Sequence, residues 1–267
     1  MARVGVHGAF GVRAALDAPS PIGELLADAL ADLRLARRTW RPATPLWVRR
    51  HEDRFDVWWR HELHVWGVDG AGAVSAVLSV LNDSVSAAVS MSHLVLHAGV
   101  VDIAGAAVAF VGPSGSGKST LTAAAVGRGH GFIGDELGIV SDDGVARAFH
   151  RPIGLRAPSV AALQLPLAPC DLHAIIAPVR ASSLGRLADR VPLRLVVLLR
   201  PHSLDLEPRW LSPAQAMFEL LNQTIGTELV EPATFDRIER LVRRVPVLEL
   251  SRAEPASMLV EIERALG

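Results

Sequence analysis

Apolar positions change their spacing along the chain, and the changes mark strands, helices and breaks. Residues 1–16 alternate loosely through Val4, Val6, Phe10 and Val12, which predicts an opening strand or hairpin. Ser20-Pro21 then offers an N-cap and a first-turn proline to a helix carrying Leu25, Leu26, Ala29, Leu30 and Leu33 at helical spacing. A proline-containing connector over 39–45 leads to strand-like runs at 46–49 and 55–68, and 71–89 reads as a buried helix.

Beyond residue 93 the runs become more apolar. Residues 93–111 form two strand-like runs parted by Ile103-Ala104-Gly105-Ala106, a turn. A glycine-rich stretch over 112–119 precedes a helix at 120–127, a strand at 131–140 and a tight turn at Asp142-Asp143-Gly144. Pro152, Pro158, Pro166 and Pro169 make 150–180 loop-rich. Residues 193–199 are almost wholly apolar, as an interior strand should be. Three helices close the chain: one opened by the capping box Ser212-Pro213-Ala214-Gln215, one over about 233–244, and one over 255–266. The whole reads as α/β, with a smaller α+β part at 1–90 and a larger part at 91–267.

Composition narrows the function classes. The 267 residues are half apolar, enough for a substantial core. With 27 Lys+Arg against 28 Asp+Glu, a broad nucleic-acid surface is not expected. The single cysteine, Cys170, excludes an internal disulfide and any multi-cysteine metal site. The best membrane candidate, 71–91, carries Asn82 and Asp83 near its centre. A charge there would cost about 3 kcal/mol in lipid. No membrane partner is expected, and a cytoplasmic setting fits. Five of the six tryptophans (Trp40, Trp47, Trp58, Trp59 and Trp66) fall in the first part, where sheet packing is a commoner use than an aromatic cleft.

Lys118 is the only lysine in the chain, among many arginines. It therefore marks a place that arginine does not fill. Its surroundings are Gly112-Pro113-Ser114-Gly115-Ser116-Gly117-Lys118-Ser119, followed by Thr120, a full match to G-x-x-x-x-G-K-[ST] between an apolar strand and a helix. Glycines let successive N–H groups turn toward phosphate oxygens at a helix start. Lys118 is then a compact charge for the β/γ-phosphates, and Ser119 a Mg²⁺ ligand. Asp135-Glu136, sixteen residues after Ser119, is the best carboxylate pair for metal and proton work.

The stretch 97–140 resembles the catalytic core of the HPr kinase/phosphorylase family. The likeness lies in Leu96-His97-Ala98, the loop from Gly112 to Thr120, and Arg128-Gly129-His130-Gly131-Phe132-Ile133-Gly134-Asp135-Glu136. It implies a P-loop core of the HPr kinase/phosphoenolpyruvate carboxykinase type. It also implies an ATP- and Mg²⁺-dependent kinase that phosphorylates a hydroxyl of a peptide, protein or small molecule, within a homo-oligomer. By the same resemblance Asp135 is the base, Glu136 joins Ser119 on Mg²⁺, and His97 sits near the reacting phosphate. The family's second signature carries a metal-binding Glu. Its counterpart here, Arg151-Pro152-Ile153-Gly154-Leu155-Arg156, has no acid, so the likeness does not extend to phosphorolysis or to HPr itself. The alternative reading is a nucleotide-binding regulatory module with little or no transfer.

Weaker candidates remain. Arg151 and Arg156 could grip phosphate or an acidic acceptor, and Arg200 and His202 follow the apolar strand where α/β sites gather. His130 could merely complement a helix end, Cys170 has no motif around it, and His61 and His64 lack nearby acid ligands for a metal.

Overall fold

The computed structural model describes residues 2–34, 42–165, 176–201, 207–225 and 232–267. Trp40, Cys170 and His202, and with them the expectations about a tryptophan cleft residue, an inert thiol and a strand-end histidine, lie outside the described residues.

The first stretch runs β1 (Ala2–His7), β2 (Ala14–Ala18), α1 (Ile22–Ala29), β3 (Thr44–His51), β4 (Arg54–Trp59), β5 (Glu62–Val68) and α2 (Gly70–Val89). Its five strands form one sheet in the order β1-β2-β3-β4-β5. Alternation puts Ala14, Leu16 and Ala18 of β2, and Leu46 and Val48 of β3, inside. The strand predicted over 55–68 is in fact two. Arg60 and His61 both take positive φ (54° and 69°), turning β4 back into β5 without any glycine. The helix predicted after Ser20 begins at Ile22 with Pro21 at its cap, while Ser20 Oγ donates to Glu24 Oε1 at 2.6 Å. It stops at Ala29, yet Leu30 and Leu33 beyond it are buried. Helix α2 is long and apolar enough to cross a membrane by length and composition. Within the fold, 56% of its most apolar window is buried, and the exposed Ser75, Ser79 and Asp83 recur every fourth residue along one face.

The chain continues through β6 (His93–Leu96), β7 (Ala98–Ile103), β8 (Ala106–Val111), α3 (Lys118–Gly127), β9 (Gly131–Gly134), β10 (Gly138–Ser141) and β11 (Val145–Arg147). Then come β12 (Ile153–Leu155), α4 (Ala157–Ala162) and β13 (Ala177–Val179), followed by β14 (Arg190–Arg200) and β15 (Arg209–Trp210). The last elements are α5 (Pro213–Leu221), α6 (Pro232–Val242), β16 (Val247–Ser251) and α7 (Pro255–Leu266). Among the described residues this is a mixed α/β fold of three sheets and seven α-helices.

Two compact units result: residues 1–88 with 151–180, and residues 89–150 with 181–267. The sequence expectation divided the chain at 90, so 151–180 fall with the first unit rather than the second. The short elements β12, α4 and β13 occupy the stretch read as loop-rich.

The second unit is built on a nine-stranded sheet. At its centre β8 pairs in parallel with β14, and β14 in parallel with β16. Strand β7 runs antiparallel to both β8 and β9, so β9 points the same way as β8. Residues 107–111 are all buried, because helices cover both faces. Ala109, Val111, Val196 and Leu198 join Ala216 and Leu220 of α5 and Ile238 and Leu241 of α6 in one core. The predicted capping box is present: the Gln215 N–H donates to Ser212 Oγ at 3.4 Å, and the Ser212 N–H donates to Gln215 Oε1 at 3.0 Å. The consequence for chemistry is directional. The ends of β8, β9, β14 and β16 all meet one edge of the sheet, where α/β folds place their ligands.

Candidate functional site

The glycine-rich loop leaves that edge from Val111. Gly112 takes φ 145°, and a Cβ there would stand 2.5 Å from the Leu199 carbonyl oxygen, so only glycine lets the loop pass the end of β14. Gly115 (φ 82°) and Gly117 (φ 102°) supply the other left-handed turns. Helix α3 then begins at Lys118 with Gly117 as its cap and no side-chain cap on its first N–H groups.

Lys118 is 7% exposed, and its Nζ donates to the carbonyls of Gly112 at 2.7 Å and Pro113 at 3.2 Å. The ammonium is folded back over its own loop. Burial pulls its pKa below the ordinary lysine range, against the opposing attraction of Glu136 and Asp135. Ser116 is buried, and its Oγ has no hydrogen-bond partner among the described residues.

The acids stand where β9 ends. The strand predicted over 131–140 is broken there, because β9 pairs with β7 whereas β10 pairs with β6. Asp135, Glu136 and Leu137 make the crossing, and Glu136 takes a positive φ of 67°. Non-glycine residues seldom adopt this conformation. Asp135 is 1% exposed and accepts a hydrogen bond from Ser119 Oγ at 3.1 Å. Glu136 turns outward, with Oε2 3.0 Å from Nε2 of His97. His97 occupies the link between β6 and β7, held by its N–H to the Gln223 carbonyl at 2.6 Å.

Lys118, Ser119, Asp135, Glu136 and His97 thus come together at one sheet edge. Ser119 bonds to Asp135, and Glu136 meets His97; the resemblance implies that Ser119 and Glu136 share Mg²⁺. Among the described residues no group of three His, Cys, Asp or Glu could hold a metal by itself. A hydroxyl and a carboxylate nevertheless suit Mg²⁺, which takes one or two carboxylates and completes its shell with substrate phosphates and water.

Arg252 was not singled out in the sequence. It follows β16 directly, and its Nη1 donates to the Gly115 carbonyl at 3.4 Å. Only the parallel order of β8, β14 and β16 brings it to the loop, and nothing local in the sequence carries that order. Thr122 was missed for a similar reason. It is fully buried, and a Cβ on Gly99 would stand 2.0 Å from its Oγ1, so β7 and α3 touch through a glycine.

The weaker candidates fall elsewhere. Arg200 is engaged by Glu249 and Glu219, each at 2.6 Å. His130 Nε2 meets Glu263 Oε1 at 3.0 Å, tying the end of α3 to α7. His61 packs edge-on against Trp47 at 4.9 Å, and Arg49 lies over both Trp47 and Trp58. Trp66 remains 63% exposed. Arg151 and Arg156 belong to the first unit, Arg151 being buried.

No protein-family model matches the chain, and no curated protein matches it. Among solved structures it is similar to the Hpr(Ser) kinase/phosphatase from Coxiella burnetii, at 15% identity over 64% of this chain and 91% of that one, with a TM-score of 0.37. A likeness at that level carries no argument about chemistry.

Proposed function

We propose that the chain is an ATP- and Mg²⁺-dependent phosphotransferase that passes the γ-phosphate to a hydroxyl of a peptide, protein or small molecule. The observation that carries this reading is the buried Lys118, held on a three-glycine loop at a helix start and facing two carboxylates. The loop N–H groups and the Ser116 hydroxyl are donors for phosphate oxygens. Lys118 exchanges its two carbonyl contacts for the β/γ-phosphates. A bound Mg²⁺ would neutralise charge on those phosphates. Ser119 and Asp135, already joined by a hydrogen bond, are the oxygens that would hold it.

Glu136 is then the carboxylate on the acceptor side, with His97 fixing its orientation. This inverts the order that the family resemblance implies, and variants separate the two orders. Glu136→Gln should bind Mg-ATP normally and lose about 10²–10⁴ in the rate of ADP formation, the usual worth of a general base. Asp135→Asn should instead lose the gain in ATP affinity that Mg²⁺ confers over ATP in EDTA. The converse pattern would restore the implied order. Tight Mg-ATP binding with no ADP formed under any acceptor screen would favour the regulatory module instead.

A further inference from the structure

One cavity of the second unit lies a single side chain away from the loop. It has a volume of about 280 Å³ and sits between the end of β16, the start of α7 and Pro208. Leu250 and Met258 give it apolar walls, and Ser251 and Ser257 bring hydroxyls. Arg252 belongs to both places: it lines the cavity, and its Nη1 reaches Gly115 of the loop at 3.4 Å. Its Nε lies 3.8 Å from where a Cβ on Gly117 would stand.

Size and chemistry narrow the occupant. At about 280 Å³ the cavity lies just under the usual range of ligand pockets, about 300–1,000 Å³, so it has room for only part of a nucleoside triphosphate, such as a base with its sugar. Met258 offers a polarisable thioether to a planar ring, and its Sδ accepts the Ala253 N–H at 3.4 Å, which holds the turn that shapes the wall. Hydroxyls beside an apolar slot match a molecule with one flat apolar face and one hydroxylated edge.

We infer that this cavity receives the base and ribose of the nucleotide whose phosphates the loop holds, with Arg252 bridging the two at the phosphate nearest the sugar. The inference rests on the phosphotransferase reading and adds a nucleoside subsite to it. Arg252 suits the bridge because a guanidinium presents several donors in a fixed plane, toward the loop on one side and a phosphate on the other.

The test uses the full chain and two probes, Mg-ATP and inorganic tripolyphosphate, measured by calorimetry. Ala253 lies on the cavity wall and is exposed, so Ala253→Trp fills the cavity without touching the core. Ser257→Trp, likewise exposed, is the second variant. Each should lose at least about tenfold in ATP affinity, some 1.4 kcal/mol, while tripolyphosphate affinity stays within about twofold. If both variants bind ATP as the wild type does, or lose the two probes equally, the cavity is not the nucleoside subsite. A wild-type chain that binds tripolyphosphate as tightly as ATP overturns the subsite and leaves the phosphotransferase reading standing. One that binds neither probe overturns both.

Discussion

Lys118 bears more of the account than any other residue. Its motif was legible because all eight residues are contiguous, and the geometry adds burial, a lowered pKa and two carbonyl contacts. The sign of its pH dependence follows. In the free protein the unfolded chain holds the lysine proton more tightly than the folded one. Stability should therefore rise with pH from the lowered value up to the ordinary 10.5. Triphosphate binding requires the ammonium, so affinity should fall across that same alkaline window, read by calorimetry at stepped pH. Affinity unchanged up to pH 10.5 would mean that the charge is not used. Lys118→Arg should also bind poorly, since a forked guanidinium does not fit a pocket that seats one point charge. Wild-type affinity in that variant would undo the explanation of the lone lysine. Arg252 and Thr122 were not legible, because their contacts span more than a hundred and more than twenty residues respectively.

At the scale of elements, the strand–loop–helix around Lys118 and the β7–β8 hairpin were readable from local pattern. Ala104 and Gly105 both take positive φ at that hairpin turn, as the glycine promised. The breaks at Arg60-His61 and at Glu136 were not readable, since each puts a non-glycine residue at positive φ and follows strand pairings set elsewhere in the sheet. The packing of α3 on β7 makes a separate prediction. Gly99→Ala forces a methyl to within 2.0 Å of Thr122 Oγ1 and should destabilise by about 1–3 kcal/mol in urea unfolding. Thr122→Ala removes the obstructing oxygen and should recover part of that loss in the double variant. Additive losses would show that the cost of the added methyl does not come from Thr122 Oγ1.

Over the whole molecule, the mixed α/β class was legible, whereas the grouping of 151–180 with the first unit was not. The proline-rich text of that stretch gives no periodicity, and its pairing of Ile153–Leu155 with Ala177–Val179 is non-local. What unites the described parts of the second unit is its sheet edge, where β8, β9, β14 and β16 all end beside the loop. The decisive property of that edge is whether it binds a nucleoside triphosphate through Lys118. The most direct measurement is calorimetry of Mg-ATP binding to the wild type and to Lys118→Ala. The loop backbone survives in the variant, so its unfolding should stay close to wild type. Loss of a charged hydrogen-bond donor to phosphate should weaken binding by about 10- to 100-fold. Equal affinity in the two proteins, or no binding by the wild type, would contradict the account.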